Sequence, residues 1–118
     1  MHNMYIERIE QHLKQFLQKD VTCNLHQPNG IKKIFKKGKF ILFTIKEFYI
    51  TLYFTINGLQ KKCEVPAPFS CSIANDQLHF DYSLDNIHHD DPYFKIKVLA
   101  IPQIKNSKFY DCKMIICE

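Results

Sequence analysis

Apolar side chains recur every three or four positions near the start of the chain, which predicts an amphipathic helix over residues 4–19. The apolar positions of this segment are Tyr5, Ile6, Ile9, Leu13, Phe16 and Leu17. Polar side chains occupy the other positions, as in a helix that packs one stripe against a sheet. Asn3 is a suitable N-cap, and residues 27–30, which contain Pro and Gly, have the composition of a turn.

After that turn, apolar and polar positions alternate, which is typical of β-strands. In residues 48–56 every even-numbered side chain is apolar and every odd-numbered one is Tyr or Thr. This predicts a half-buried strand with Tyr49 and Tyr53 on its outer face. The Asn-Gly pair at 57–58 favours a two-residue type I′ turn, which would place Tyr53 opposite Lys62 in a hairpin.

The segment before this hairpin, residues 39–45, carries apolar side chains at odd and even positions alike. It is predicted to be a central strand covered on both faces, once by the helix and once by a surface that the sequence does not identify. A tight turn at residues 46–47 would place Phe40 and Leu42 on the same face as Tyr53.

A second hairpin is predicted over residues 69–83, with its turn at Asn75 and Asp76. A two-residue register pairs Cys71 with Phe80 and makes one face entirely apolar. Cys63, Cys71 and Cys112 are then expected on inward faces, as small core side chains.

A third hairpin is predicted to join residues 94–98 to residues 110–116 through a loop at 102–106. This arrangement would place Lys97 across from Asp111. The expected fold is therefore α+β, with an N-terminal helix on an antiparallel sheet of about six strands built from consecutive hairpins. The alternative is an all-β sandwich or barrel with a peripheral helix.

Composition favours one ordinary globular domain over residues 1–118. Hydrophobic residues make up 46% of the 118 positions and charged residues 24%. No apolar stretch reaches the roughly 20 residues that a membrane-spanning helix needs, and the first residues do not resemble a secretory signal. We therefore expect a cytoplasmic location without membrane insertion.

Charge is distributed unevenly along the chain. The net charge is +4, but residues 31–62 alone sum to +7 from eight lysines and one glutamate, and residues 76–91 sum to −5 from five aspartates. A local positive excess attracts nucleic acid, anionic lipid or an acidic protein. Arg8 is the single arginine among 16 basic residues, which disfavours base-specific DNA recognition.

Several residue clusters contain the side chains of known kinds of catalytic or metal site, but each has a simpler interpretation. Ser70, Ser72, His79 and Asp81 have the composition of a hydrolase triad, yet they would lie on a flat solvated strand face without an oxyanion hole. Asp91, Asp111 and Lys113 loosely match a metal-dependent nuclease, whereas pairing of Asp111 with Lys97 explains them without catalysis.

Metal binding has two further candidates. Residues 88–91 read His-His-Asp-Asp, which is also the composition of a solvated loop. Cys23 and His26 have the spacing of a zinc knuckle, but no second pair repeats it. Five cysteines without a secretory signal favour reduced thiols over a disulfide framework. We therefore expect no metal, no cofactor and no enzymatic activity.

The preferred binding surface combines a lysine-rich segment with exposed tyrosines. Its predicted members are Lys32, Lys33, Lys36, Lys37, Tyr49, Tyr53 and Lys62. Aromatic side chains anchor protein interfaces and charges steer association, so we expect a noncatalytic protein-binding module of inhibitor or adaptor type. Its partner would be another protein or a second copy of the chain. Single-stranded nucleic acid is the alternative ligand, because lysines attract phosphates and tyrosines stack on bases.

Overall fold

Two helices and one seven-stranded antiparallel sheet make up the fold. The computed structural model describes residues 4–118, except for the side chains of Phe35 and Lys36. The elements are α1 (Met4–Lys14), β1 (Asp20–Gln27), β2 (Gly30–Lys46), β3 (Tyr49–Ile56), β4 (Leu59–Pro66), β5 (Ser70–Ala74), β6 (Gln77–Asp81), a short 3₁₀ helix (Leu84–Asn86), α2 (Phe94–Lys105) and β7 (Lys113–Cys117). This confirms the predicted α+β class. The sheet is larger than the six strands expected, and a second helix is present.

The sheet curls so strongly that its two edges approach each other at one end. The strand order is β4-β3-β2-β1-β7-β6-β5, so the edge strands β4 and β5 are consecutive in the chain. Only Ala67, Pro68 and Phe69 lie between them, and all three are buried. Because a chain advances at most about 3.6 Å per residue, this link spans no more than about 14 Å. The sheet therefore has a concave and a convex face.

The hydrophobic core lies on the concave face, against α1. Ile9 and Leu13 of the helix are fully buried together with strand residues such as Leu25, Leu52 and Phe80. The helix ends at Lys14 rather than at residue 19, because the chain turns and Gln18 takes a positive φ of 68°. Phe16 is still buried in this turn, so the apolar spacing continues beyond the helix itself.

Both predicted hairpins with two-residue turns are confirmed in register. Asn57 and Gly58 have φ angles of 51° and 78°, as a type I′ turn requires, and Tyr53 lies opposite Lys62. Asn75 and Asp76 have φ angles of 53° and 60°. In that second hairpin Cys71 lies opposite Phe80, as expected.

The turn between β2 and β3 differs from the predicted one by a single residue. Lys46 pairs with Tyr49, so the turn is formed by residues 47–48 and not by 46–47. This turn places Leu42 opposite Tyr53, and a bulge at Ile41, further from the turn, then places Phe40 opposite Phe54. The expectation that Phe40 shares the face of Tyr53 is therefore wrong, because Phe40 is fully buried in the core.

The predicted third hairpin is wrong. Its first strand is instead part of α2, whose buried residues Ala100 and Ile104 are spaced by four. Its second strand, β7, pairs with β1 and β6 in the middle of the sheet. Lys97 does not face Asp111; its Nζ lies 2.6 Å from Asp91 Oδ2. Within residues 4–118, no helix is long and apolar enough to cross a membrane.

Candidate functional site

The convex face of β2, β3 and β4 carries an exposed aromatic and aliphatic patch, here called the tyrosine face. Its members are Leu42, Tyr49, Thr51, Tyr53 and Lys62. Leu42 of β2 and Lys62 of β4 flank Tyr53 of β3 in one cross-strand row. Leu42 is 52% exposed and Tyr49 is 40% exposed.

The alternation of β3 explains why the tyrosines face outward. Ile50, Leu52 and Phe54 are buried against the core, so the odd-numbered side chains between them must project from the convex face. The predicted parity of residues 48–56 is thus confirmed. Tyr53 is half-buried between its cross-strand neighbours, whereas Tyr49 stands at the end of the strand and is more exposed.

Only some lysines of the lysine-rich segment lie near the tyrosine face. Lys32 lies opposite Leu25 and Lys33 opposite Asn24, so these neighbouring lysines project to opposite faces of the sheet. Lys33 and Leu42 are nine positions apart, which corresponds to about 30 Å along a strand. Lys32 and Lys33 therefore lie far from the tyrosines.

The other lysines of that segment lie nearer. Lys37 is exposed and five residues from Leu42, about 15 Å along β2. The side chain of Lys36 lies outside the described part of the structure. Lys39 was not among the predicted site residues, yet it pairs with Thr55, two positions from Tyr53 on the same face. The alternation of β3 predicts that Thr55 lies on the same face as Tyr53. That Lys39 pairs with Thr55 follows only from the register between β2 and β3.

A groove borders the tyrosine face where β3 and β4 meet the end of α2. It has a volume of about 460 Å³. Tyr49, Glu64 and Pro66 line its sheet side, and Pro102 and Gln103 line its helix side. Tyr49 is therefore accessible from the face and from the groove, and the groove supplies polar as well as apolar contacts.

A second cavity, of about 340 Å³, opens on the concave side near the β3–β4 turn. Phe54, Ile56 and Cys63 give it an apolar lining, and Lys61 and Lys62 lie at its border. It lies on the other side of β4 from the tyrosine face. Lys62 thus projects on the convex side of this edge strand and Lys61 on its concave side.

Two candidate metal ligands of the sequence, Cys23 and His26, both lie on β1. Among the residues that the structure describes, no group of three or more His, Cys, Asp or Glu side chains has the geometry to hold a metal ion. Cys23 is fully buried opposite Ile116, whereas His26 lies opposite Lys113 on the other face of β1. The zinc-knuckle spacing therefore places its two ligands on opposite sides of a strand.

The hydrolase-like cluster occupies the convex face of the β5–β6 hairpin. Ser70 pairs with Asp81 and Ser72 pairs with His79. The Asp81 carboxylate accepts a hydrogen bond of 3.0 Å from the Ser83 backbone N–H and lies 4.0 Å from Lys113 Nζ. The Asp81 carboxylate is thus held by a backbone N–H and lies near a lysine.

The acidic loop contributes a structural ion pair. Asp91 Oδ2 accepts a hydrogen bond of 2.6 Å from Lys97 Nζ, and Oδ1 accepts one of 2.8 Å from the Tyr93 backbone N–H. These hydrogen bonds lower the pKa of Asp91, the one from Lys97 most strongly. Lys97 Nζ also donates to the Asn86 carbonyl at 3.2 Å. The pair therefore ties the loop to α2.

Cys23 and Cys112 are buried in the core, and Cys63 and Cys71 pack against it partly buried. All five are free thiols. Burial raises the pKa of Cys71 to about 12 and raises the pKa of Cys23 well above its usual value. A thiol with a raised pKa stays protonated at neutral pH and is a poor nucleophile.

Comparison with protein-family models, with curated proteins and with solved structures finds no match.

Proposed function

We propose that this protein is a noncatalytic protein-binding module, of inhibitor or adaptor type, that docks a partner protein on the tyrosine face. The observation that supports the proposal is the exposed row of Leu42, Tyr53 and Lys62 across three strands, with Tyr49 beside it. Leu42 and Lys62 of this row are exposed and Tyr53 is half-buried. It is continuous with a groove that can accept a protruding side chain of the partner.

The chemistry of the row suits a protein interface. Tyrosine combines a large apolar surface with a hydroxyl and few rotatable bonds, so it loses little entropy when a partner orders it. Truncating such an anchor typically costs about 2 kcal/mol or more of binding free energy. Leu42 adds apolar area beside Tyr53, and Thr51 adds a small polar position between the two tyrosines.

Charge around the face favours an acidic partner. Lys39, Lys46 and Lys62 are exposed on the same three strands, and Glu64 is the acidic residue of the convex side of β4. Such a positive rim accelerates association with an acidic protein and makes the association rate depend on salt.

Single-stranded nucleic acid remains a second candidate, because Lys62 lies directly opposite Tyr53. A base could stack on the phenol ring while the ammonium group contacts a phosphate. This candidate requires an affinity that falls steeply with salt. Labelled oligonucleotides whose binding is the same at low and high salt would contradict it.

The protein-binding proposal is tested with two variants of matched chemistry. Tyr49→Thr combined with Tyr53→Thr removes both phenols and keeps a residue that favours β-structure. Tyr110→Thr is the control, because Tyr110 is 37% exposed but lies in the segment between α2 and β7. The immobilised wild-type protein and both variants are incubated with an extract of the source cells, and retained proteins are quantified by mass spectrometry.

We expect at least one protein to be retained by the wild-type protein and the control but lost, by tenfold or more, from the double variant. Equal retention by all three proteins would contradict docking on the tyrosine face. Retention of nothing but a second copy of the chain would identify a homodimer, which sedimentation of the purified protein would verify.

A further inference from the structure

The outer edge of β4 is free over most of its length. β4 is the first strand in the sheet order and pairs on one side only, with β3. Residues 59–62 and Glu64 are exposed. Among the described backbone hydrogen bonds outside the ladders, none involves residues 59–64. An unpaired strand edge of this kind is a template for another extended chain.

The register identifies which backbone groups point outward. In a two-residue hairpin the residues that flank the turn, here Ile56 and Leu59, form a hydrogen-bonded pair. Hydrogen-bonded and non-hydrogen-bonded pairs then alternate along an antiparallel ladder. Gln60, Lys62 and Glu64 therefore direct their N–H and C=O groups away from β3. We call these three residues the β4 edge.

The next outward position ends the free edge. Pro66 has no N–H to offer, and its carbonyl accepts a hydrogen bond of 2.7 Å from the Tyr82 hydroxyl. The chain then enters the buried link to β5. An added strand thus has three residues of β4 to pair with, which is the scale of a short peptide motif.

We infer that the partner adds an acidic extended segment to the β4 edge as an eighth strand; this inference rests on the proposed protein-binding function. Lys62 projects on the convex side and Lys61 on the concave side of β4. Opposite charges on directly facing strands are favourable and like charges are unfavourable. An antiparallel pairing of two β4 edges that aligns Lys62 with Lys62 of the second copy would oppose two ammonium groups, whereas a carboxylate at that position is favourable. The edge lysines therefore favour an acidic partner.

The two sides of β4 also specify the pattern of the segment. On the convex side, a carboxylate faces Lys62 next to the tyrosine face. On the concave side, an apolar side chain reaches the cavity of about 340 Å³ beside Phe54, Ile56 and Cys63. The motif is therefore one of alternating acidic and apolar residues, because successive side chains of a strand point to opposite faces.

The test uses the full-length protein and a capped octapeptide of alternating Glu and Val. Binding is followed by fluorescence anisotropy and by amide chemical shifts and hydrogen exchange of the labelled protein. We expect the N–H groups of Gln60, Lys62 and Glu64 to become protected, while those of Lys61 and Cys63, already bonded to β3, change little. Protection elsewhere, or no binding at millimolar peptide, would overturn the inference.

Two variants separate strand addition from simple charge attraction. Gln60→Pro removes one outward N–H and leaves the hydrogen bonds to β3 and the charge unchanged. We expect it to lower the affinity for the Glu-Val peptide by tenfold or more. Lys62→Glu is expected to reverse the preference towards a Lys-Val peptide, whereas Lys95→Glu, an equal charge change on α2, is not. Thermal unfolding checks that each variant folds. Unchanged affinity in Gln60→Pro, or equal effects of the two charge reversals, contradicts strand addition.

The same variants distinguish this inference from the function on which it rests. A cellular partner that is lost from the tyrosine double variant but retained by Gln60→Pro supports the docking face and overturns strand addition. A partner lost from Gln60→Pro and retained by the tyrosine double variant supports the edge and contradicts docking on the tyrosine face. Loss from both supports one continuous surface.

Discussion

The Tyr82 hydroxyl donates a hydrogen bond of 2.7 Å to the Pro66 carbonyl across the closed end of the sheet. Tyr82 follows β6, and Pro66 ends β4 at the opposite edge. The Phe69 N–H donates to the Asp81 carbonyl at 3.0 Å beside it. The Tyr82–Pro66 bond connects the end of β6 to β4, two strands that no ladder joins, whereas the Phe69–Asp81 bond extends the β5–β6 ladder into the link. The Tyr82–Pro66 bond therefore helps to hold the curled shape of the sheet and of its convex face.

Tyr82→Phe is expected to destabilise the protein by about 1–3 kcal/mol, because the carbonyl of Pro66 is left buried without a donor. Tyr82 is fully buried, and its pKa is raised well above the usual value by burial, so water cannot readily replace the hydroxyl. Urea unfolding measures the change. Tyr110→Phe, at an exposed phenol, is the control and should leave the unfolding free energy unchanged; equal values for both variants would show that the bond has no structural role.

The ion pair between Asp91 and Lys97 supports a second prediction. Lys97 is only 7% exposed, so Asp91→Asn leaves a buried ammonium group without its counterion. We expect a loss of about 3 kcal/mol in the free energy of unfolding. Adding Lys97→Met should recover part of that loss, since an apolar side chain has no charge to solvate. A double variant no more stable than Asp91→Asn would contradict this account.

The contribution of the Asp91–Lys97 pair to the stability of the folded protein should decrease as the pH falls. The Lys97 and Tyr93 hydrogen bonds lower the pKa of Asp91 in the folded protein below the ordinary value of 3.8. The folded state therefore binds its proton less readily than the unfolded state, and the contribution is present above pH 3.8 and lost as the pH falls through the lowered pKa. Between pH 5 and pH 2 the stability of the wild-type protein should fall more steeply than that of Asp91→Asn. The unfolding free energy is measured with urea at each pH. If it changed equally with pH in both proteins, the proposed role of Asp91 would be contradicted.

The elements that the sequence predicts correctly are those whose signals are local. The Asn-Gly turn at 57–58 fixes a register without reference to the rest of the chain, and the alternation in residues 48–56 then sets which side chains face outward. The position of Tyr53 opposite Lys62 follows from these two facts alone. This is why the centre of the candidate site could be predicted before the fold was known.

The incorrectly predicted elements are those whose structure is determined by contacts between residues far apart in the sequence. Residues 94–98 alternate like a strand, but their apolar side chains also fit a helix, and α2 forms because Ala100 and Ile104 reach the core on one side. The sequence analysis does not predict β1. The alternation of Val21, Cys23 and Leu25 is recognised as a strand only once β2 and β7 are seen on either side of it. The turn at residues 47–48 brings Leu42 beside Tyr53, and the bulge at Ile41 turns Phe40 into the core; neither has a local sequence signal.

Gly38 of the long strand β2 lies closely against Ile56. A Cβ atom at this position would lie 2.7 Å from Ile56 Cγ1, closer than van der Waals contact allows. Gly38→Ala is expected to destabilise the protein by about 1–3 kcal/mol through overpacking. Combining it with Ile56→Ala removes the obstructing group, so the double variant should cost less than the sum of the two single variants. Strict additivity in urea unfolding would contradict the clash.

The final prediction concerns self-association through β4. Lys61 and Lys62 are exposed on opposite faces of a free edge, and charged side chains at such positions prevent edge-to-edge pairing. Replacing both with valine removes the repulsion and raises the β-propensity of the strand, so the double variant should dimerise or aggregate at concentrations where the wild-type protein does not. Size-exclusion chromatography with light scattering measures this. Lys95→Val combined with Lys105→Val makes the same change on α2 and should leave the elution unchanged; a monomeric β4 variant would show that features other than these lysines protect the edge.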